Sequence, residues 1–304
     1  MRFNMIAKIL FAVVLMLGTI RAGDNTGLTF LKLPVDARCA AMGEASTALS
    51  GDAAAAFNNP AALSANSERS FVLMHNAYLA DITQEFAAFQ FFTGKHSAAL
   101  SLNIMDIPGI EIRGIRPTDQ PEGKTDAINF AFGLSYAYHY SRQWAFGITT
   151  KYLFEKYYLA SAAGWAFDLG LLHRNTFIEG LDWALAVQNL GRMQPLKNKR
   201  TPLPVNLRSG IRYALHPNWQ KMQEIILAAD AEYVFDEGTL LHLGIELPLV
   251  HVFYLRAGTI LLSDKTRLSV GFGVSYKNYR VNYAFSPYPY NLGNSHRFSL
   301  NWLF

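Results

Sequence analysis

The 304-residue sequence contains one cysteine, Cys39, so no intramolecular disulfide can form. The preceding Val35-Asp36-Ala37-Arg38 is not an apolar run closing on small residues, which argues against a lipid-anchored cysteine. Charge is also scarce. Charged residues make up 16% of the chain, against roughly 25% in soluble domains. Long apolar runs are missing as well. The run Ile9 to Leu17 is about half the length that crosses a bilayer, and nothing longer follows. A transmembrane helix is therefore excluded, and only a closed barrel would let this chain span a membrane with every backbone group paired.

The short N-terminal run has another reading. A basic start with Arg2 and Lys8, the apolar core, and small residues at Ala22-Gly23 form the pattern of a secretory signal peptide over residues 1–22. Removing it deletes Arg2, Lys8 and Arg21 and no acid, so 27 basic residues become 24 against 23 acidic ones. The net charge falls from +4 to +1. No nucleic-acid partner is indicated by so even a balance.

What the chain has in abundance is aromatic residues, 13% of the total, arranged with period 2. Ile128, Phe130, Phe132, Leu134, Tyr136, Tyr138 and Tyr140 oppose Ala127, Asn129, Ala131, Gly133, Ser135, Ala137 and His139. The same alternation recurs over 143–155, 164–171, 267–277 and 279–286. It closes the chain in Arg297-Phe298-Ser299-Leu300-Asn301-Trp302-Leu303-Phe304. Strict alternation puts one face in an apolar medium and the other in a polar one. Runs of about 10–14 residues exceed ordinary strands and match tilted membrane strands. Fourteen such strands are predicted between residue 69 and the C-terminus, an even number, as in single-chain bacterial barrels. Aromatics near strand ends match interfacial girdles. Long connections are expected at 106–126 and 191–204 and short turns at Ser141-Arg142 and Asn278. Phe298, Trp302 and the terminal Phe304 resemble the signal by which outer-membrane barrels are recognised by the barrel-assembly machinery.

Residues 23–66 differ. Ala37, Ala40, Ala41, Met42, Ala45 and Ala48 suggest a short helix that breaks at Gly43, and residues 53–57 suggest another turn. This small-residue segment is a natural plug for a barrel too wide to be filled by its own side chains. The expected organisation is a signal peptide (1–22), a plug (23–66) and a barrel (67–304).

Phe30-Leu31, Leu33-Pro34, Ala37-Arg38 and Met42-Gly43, followed by Asp52-Ala53 and Asn59-Pro60-Ala61-Ala62-Leu63, resemble the start of PorV/PorQ-type outer-membrane proteins. Their barrels are similar to the FadL long-chain fatty-acid transporter. The resemblance implies a 14-stranded all-β antiparallel barrel in the bacterial outer membrane, with an N-terminal plug carrying Ala37, Arg38, Gly43, Asn59 and Pro60. It implies a non-enzymatic part in type IX secretion and surface attachment, with secretion-system proteins as partners. The alternative is a FadL-like channel for a hydrophobic ligand. Glu44 departs from the pattern, standing where relatives often have a second glycine.

No catalytic or cofactor constellation emerges. The eight histidines show no paired spacing for a metal, Ser135 lacks the second glycine of a nucleophile elbow, and Gly271-Phe272-Gly273 reads as a strand, not a phosphate loop. By parity, Lys151, Glu155, Asp168, Arg208, Arg212, Asp230, Glu232, Glu246, Arg256, Arg267, Lys277, Arg280 and Arg297 point inward. The main reading is an ion-pair network that anchors the plug, since unpaired buried charges are costly. The other is a ligand site formed by Arg256, Arg267, Lys277, Arg280 and Arg297, which would hold a carboxylate.

Overall fold

The computed structural model describes residues 26–304 apart from 50, 66–67, 116–118, 217–222, 236, 251, 262–265 and 291. The expected signal peptide, residues 1–22, lies outside the described residues.

Fourteen antiparallel strands close into a barrel. They are β1 (Ser70–Ala77), β2 (Thr83–Thr93), β3 (His96–Ile112), β4 (Gly123–His139), β5 (Trp144–Tyr157), β6 (Ala160–His173) and β7 (Leu181–Met193). The second half is β8 (Asn206–Leu215), β9 (Ile225–Val234), β10 (Gly238–Val250), β11 (Phe253–Leu261), β12 (Thr266–Tyr276), β13 (Tyr279–Tyr288) and β14 (Gly293–Leu303). Each strand pairs with its sequence neighbour, and β1 pairs with β14. The alternation of residues 127–140 is realised in β4, where Ile128, Phe132, Leu134 and Tyr136 face out and Ala127, Ala131, Ser135 and Ala137 are buried. Outward aromatics and aliphatics of this kind circle the wall, which suits lipid and not water.

In β2, Gln84, Phe86, Ala88 and Gln90 are buried. The long connection expected at 106–126 is shorter, because β3 and β4 continue into it. Their pairing slips once between Ile107 and Ile110 and resumes to Ile112↔Gly123. There the Gly109 N–H donates to Asp126 (3.0 Å). Neighbouring pairing stops earlier, at Thr83↔Asp106 on one side and Ala127↔Tyr157 on the other. Residues 107–112 and 123–126 therefore project as a free-standing ribbon beyond the wall. The connection 194–205 carries its own small hairpin, Pro195–Leu196 with Lys199–Arg200.

The two longest loops, 113–122 and 194–205, lie at one end. Two-residue turns such as Gly94-Lys95 lie at the other, with the C-terminus. Long outer loops and short periplasmic turns orient the molecule, giving an outer mouth and an inner, periplasmic mouth.

Residues 26–65 run through the lumen. The Gly27 N–H donates to Pro202 O (3.0 Å) at the outer mouth. A 3-10 turn (Thr29–Lys32) leads to α1 (Ala37–Ala41), capped by the Asp36 carboxylate accepting from the Cys39 N–H. Next come α2 (Ala55–Asn58) and a second 3-10 turn (Pro60–Ala65) toward the inner mouth. The alanines of α1 pack on Ala284 of β13, and Ala61 packs on Ala145, Leu172 and Ala184. Small side chains bring the plug backbone to the wall. No helix among the described residues is long and apolar enough to cross a membrane.

Candidate functional site: a plug seated on wall glycines and clasped by charge

Two turns of the plug rest on two glycine pairs of the wall. Gly147 and Gly170 are cross-strand partners on β5 and β6. A Cβ on Gly147 would enter the backbone of Pro60 and Ala61, and one on Gly170 would meet the Asn59 side chain. Gly244 and Gly258 are likewise partners on β10 and β11. They leave room for the Met42–Gly43 backbone, and Gly43 in turn lies against the β10–β11 backbone at Leu243 and Thr259. Gly43 has φ 63°, where a glycine carries no steric penalty. Glu44 also has φ 63°, which is costly for a residue with a Cβ. A glycine would adopt this backbone without that cost. Here the carboxylate is instead used, as an ion-pair partner of Arg267.

Asn59 locks its seat. Its Nδ2 donates to Thr47 O (3.0 Å) and to Leu171 O of β6 (3.2 Å), and its Oδ1 accepts from the Ala61 N–H (3.0 Å). Plug and wall carbonyls are thus satisfied by one side chain, and Pro60, lacking an N–H, leaves no donor over the glycine pair.

Charged groups complete the clasp. Arg38 donates to both oxygens of Glu246, each at 2.8 Å, and Glu246 also accepts from Arg256 Nε (2.6 Å). Asp230 of β9 accepts from the Ser46 N–H (2.8 Å), the Thr47 N–H (2.8 Å) and the Thr47 hydroxyl (2.7 Å). Arg208 donates to Glu44 O (2.6 Å). His242 bridges Gly43 O (2.9 Å) and Glu232 (3.0 Å). Lys151 pairs with Asp168 (2.6 Å) and lies 5.0 Å from the Phe57 ring centroid. At the outer mouth Lys32 pairs with Glu237 (2.7 Å). Burial, with Asp36 close by, pushes the Asp52 carboxyl up to about 6. Burial also pushes the Cys39 thiol well above its usual range.

The five cationic residues expected together are not together. Arg256 and Arg280 lie at the inner mouth. Arg267 lies near the outer mouth, donating to Glu44 and, at 3.2 Å, to the Tyr288 hydroxyl. Arg297 is buried in the same outer half. Lys277 is a correction: β12 ends at Tyr276, and Lys277 is an exposed turn residue with φ 52°. Parity assigns a face but not a height. Arg267 and Lys277 lie at opposite ends of β12, about 30 Å apart at ~3.3 Å per residue.

The terminal strand points Phe298, Trp302 and Phe304 outward. Trp302 stacks on Tyr279 (centroids 5.9 Å) and Phe304 packs on Phe89 (5.9 Å). The Phe304 N–H donates to Arg69 O (3.0 Å) and the Arg69 N–H to Phe304 O (3.1 Å), so the last residue closes the seam.

The wall glycines were the part of this site missed from sequence. Their signal was visible as Gly147, Gly170, Gly244 and Gly258 on the polar parity of strands, but single glycines do not announce what approaches them.

A closed 14-stranded barrel with a lipid-facing apolar wall and an occupied lumen defines an outer-membrane β-barrel. Residues 21–169 match the family model of the type IX secretion system protein PorV. Among solved structures, the chain is similar to the Pseudomonas putida toluene transporter TodX (TM-score 0.63, 13% identity, covering 88% of this chain and 96% of that one). It is similar too to the CymD monoaromatic hydrocarbon channel (TM-score 0.64, 13% identity, 92% and 99% covered). No curated protein matches the sequence. Over residues 21–169 the chain resembles PorV-type proteins, and the whole barrel shares the fold of these channels, in the setting of the bacterial outer membrane.

Proposed function

We propose that this protein is a non-enzymatic component of protein secretion and surface attachment of the type IX kind, acting through its outer face. The family match supports this reading. The observation that carries it is the contrast between a filled lumen and a projecting outer ribbon. The plug is held to β6, β8, β9, β10 and β12 by hydrogen bonds that involve Asn59, Arg208, Asp230, His242 and Ser269. The cavity beside the plug, lined by Lys32, Glu44, Arg208 and Glu232 together with Leu31, Leu33 and Phe57, holds only about 10 Å³, too little for an organic solute. The large apolar groove, about 720 Å³, lies on the wall exterior among Ile211, Leu227, Leu243, Ile245 and Leu268. Meanwhile the ribbon and the loop at its tip offer exposed Ile110 and Ile115, together with two unpaired strand edges.

In this reading residues 1–22 direct export and are removed, 23–66 form the plug, and Ala37, Arg38, Gly43, Asn59 and Pro60 hold it in place. Phe298, Trp302 and Phe304 serve recognition by the barrel-assembly machinery. Secretion-system proteins are the partners. The test is to replace residues 107–125 by a short turn. Loss of secreted proteins from the surface, with normal barrel levels in the outer membrane, is expected. Unchanged surface display would refute the proposal. The second reading, a hydrophobic-solute channel, is favoured by the fold shared with TodX and CymD. It requires faster uptake of an aromatic hydrocarbon in cells carrying the protein than in cells without it.

A further inference from the structure

We propose that the inner mouth holds a carboxylate-binding pocket, formed between plug and wall and centred on Arg280. A cavity of about 430 Å³ opens there, lined by Arg38 and Gly51 of the plug and by Glu246, Tyr254, Arg256 and Arg280 of the wall. Arg38 and Arg256 are both buried, and both are committed to Glu246. Arg280 is less engaged, its charge reaching the Asp52 carboxyl without a close ion pair. Its Nε makes one long bond to the Ser275 hydroxyl (3.3 Å), and it forms no ion pair with a described residue.

The neighbouring acids have donors of their own. Asp36 accepts from the Cys39 N–H (3.3 Å) and the Ser299 hydroxyl (2.8 Å), and Asp52 from the Ala54 N–H (2.9 Å) and from Asn301. Glu224, at the rim, is engaged by Arg212 (3.3 Å) and His216 (2.8 Å). One half-buried guanidinium therefore faces the cavity with its fork open. A guanidinium fork matches a planar two-oxygen anion bidentately. The pocket already shows that match in the Arg38–Glu246 pair. Gly273 is part of the construction, since a Cβ there would enter the Arg256 guanidinium and Asn282.

A single guanidinium without a close ion pair suits a singly charged carboxylate. Such a group comes either from the C-terminus of an extended chain or from a small free acid. Because the cavity opens inward, the ligand arrives from the periplasm. The pocket is independent of the role proposed for the outer face.

The test uses the purified full-length mature protein in a non-ionic detergent near pH 7.5, with calorimetric titration. The probes are the tripeptide Ala-Ala-Leu as free acid, the same peptide as C-terminal amide, and propionate as competitor. We expect saturable binding of the acid, with the amide at least about tenfold weaker. Arg280→Gln weakens the acid at least tenfold, while heat stability and protection of Cys39 from alkylation stay as in wild type. Competition by propionate at the affinity of the peptide assigns the site to small free acids, and its failure to compete assigns it to chain termini. Equal binding of acid and amide, or no saturable binding of peptide acid or propionate, overturns the proposal. The acid–amide comparison needs no variant, so it stands if Arg280→Gln fails to fold.

Discussion

Arg38 of the plug and Glu246 of β10 meet through two hydrogen bonds, each 2.8 Å, inside the barrel. The same carboxylate accepts from Arg256 at 2.6 Å. One acid thus holds two guanidinia, one mobile in principle and one fixed in the wall. Removing one partner of a buried pair costs about 3–5 kcal/mol because the survivor is left uncompensated. Glu246→Gln strands two cations, whereas Arg38→Met leaves Glu246 with Arg256. Glu246→Gln should therefore lower stability more than Arg38→Met, as read from denaturant titration of the barrel in detergent. Equal losses would show that the pairing with Arg256 contributes nothing.

The glycine seats predict a specific failure. Gly147→Ala and Gly258→Ala should unseat the plug while leaving the wall strands paired, because each new Cβ meets plug backbone that has no flexible end to move. Cys39 reports the event. It is buried and its thiol is held protonated by burial, so a maleimide should not label it in the native wild type. Labelling within minutes in either variant, with the β-sheet circular dichroism unchanged, is the expected outcome. Asn59→Ala should act the same way, since it leaves the Leu171 and Thr47 carbonyls without this donor.

Glu44 balances two effects. A left-handed backbone at a residue with a Cβ costs about 1–2 kcal/mol, while its ion pair with Arg267 offsets that cost. Glu44→Ala loses the pair and keeps the strained backbone. Glu44→Gly loses the pair and relieves the strain. Glu44→Gly should then be more stable than Glu44→Ala by about 1 kcal/mol, measured as the difference in denaturation midpoints. An Ala variant as stable as the Gly variant would contradict the argument.

Asp52 gives the plug a pH dependence. Its folded-state value is raised from 3.8 to about 6, so in that window the native protein binds more protons than the unfolded chain. Stability must then fall as pH rises from about 4 to 6, and stay lower above it. The raised value reflects burial beside Asp36, with the Ala54 N–H and Arg280 acting against it. Two units correspond to on the order of 3 kcal/mol at most. Asp52→Asn should flatten the melting temperature against pH across this window. A wild-type profile that rises from pH 4 to 6, with Asp52→Asn unchanged, would oppose it.

Phe304 pairs with Arg69 at the seam and packs on Trp302 (centroids 4.7 Å) and Phe89. Deleting Phe304, or replacing Trp302 by Asp, should reduce the amount of barrel in the outer membrane. Immunoblots of outer-membrane fractions check this, and normal levels of both variants would argue against a role in assembly.

The sequence by itself determined the class of this protein. Period-2 alternation is a local property, so face assignment, strand number and the membrane setting are written along the chain. The small residues of the plug were legible too, as was the break at Gly43, because left-handed backbone favours glycine. Height along the barrel was not legible. Arg267 and Lys277 share a parity yet belong to opposite mouths, and Lys277 leaves the wall altogether because the strand ends one residue before it. Nor could spacing reveal that Gly147 faces Gly170, or Gly244 faces Gly258, since those pairs exist only once strand register is set. The tertiary structure decided which charges meet: Arg38 and Glu246 are 208 residues apart in sequence. Arg69 and Phe304 join the two ends of the wall, and inside the closed barrel the plug's turns meet the glycines that admit them.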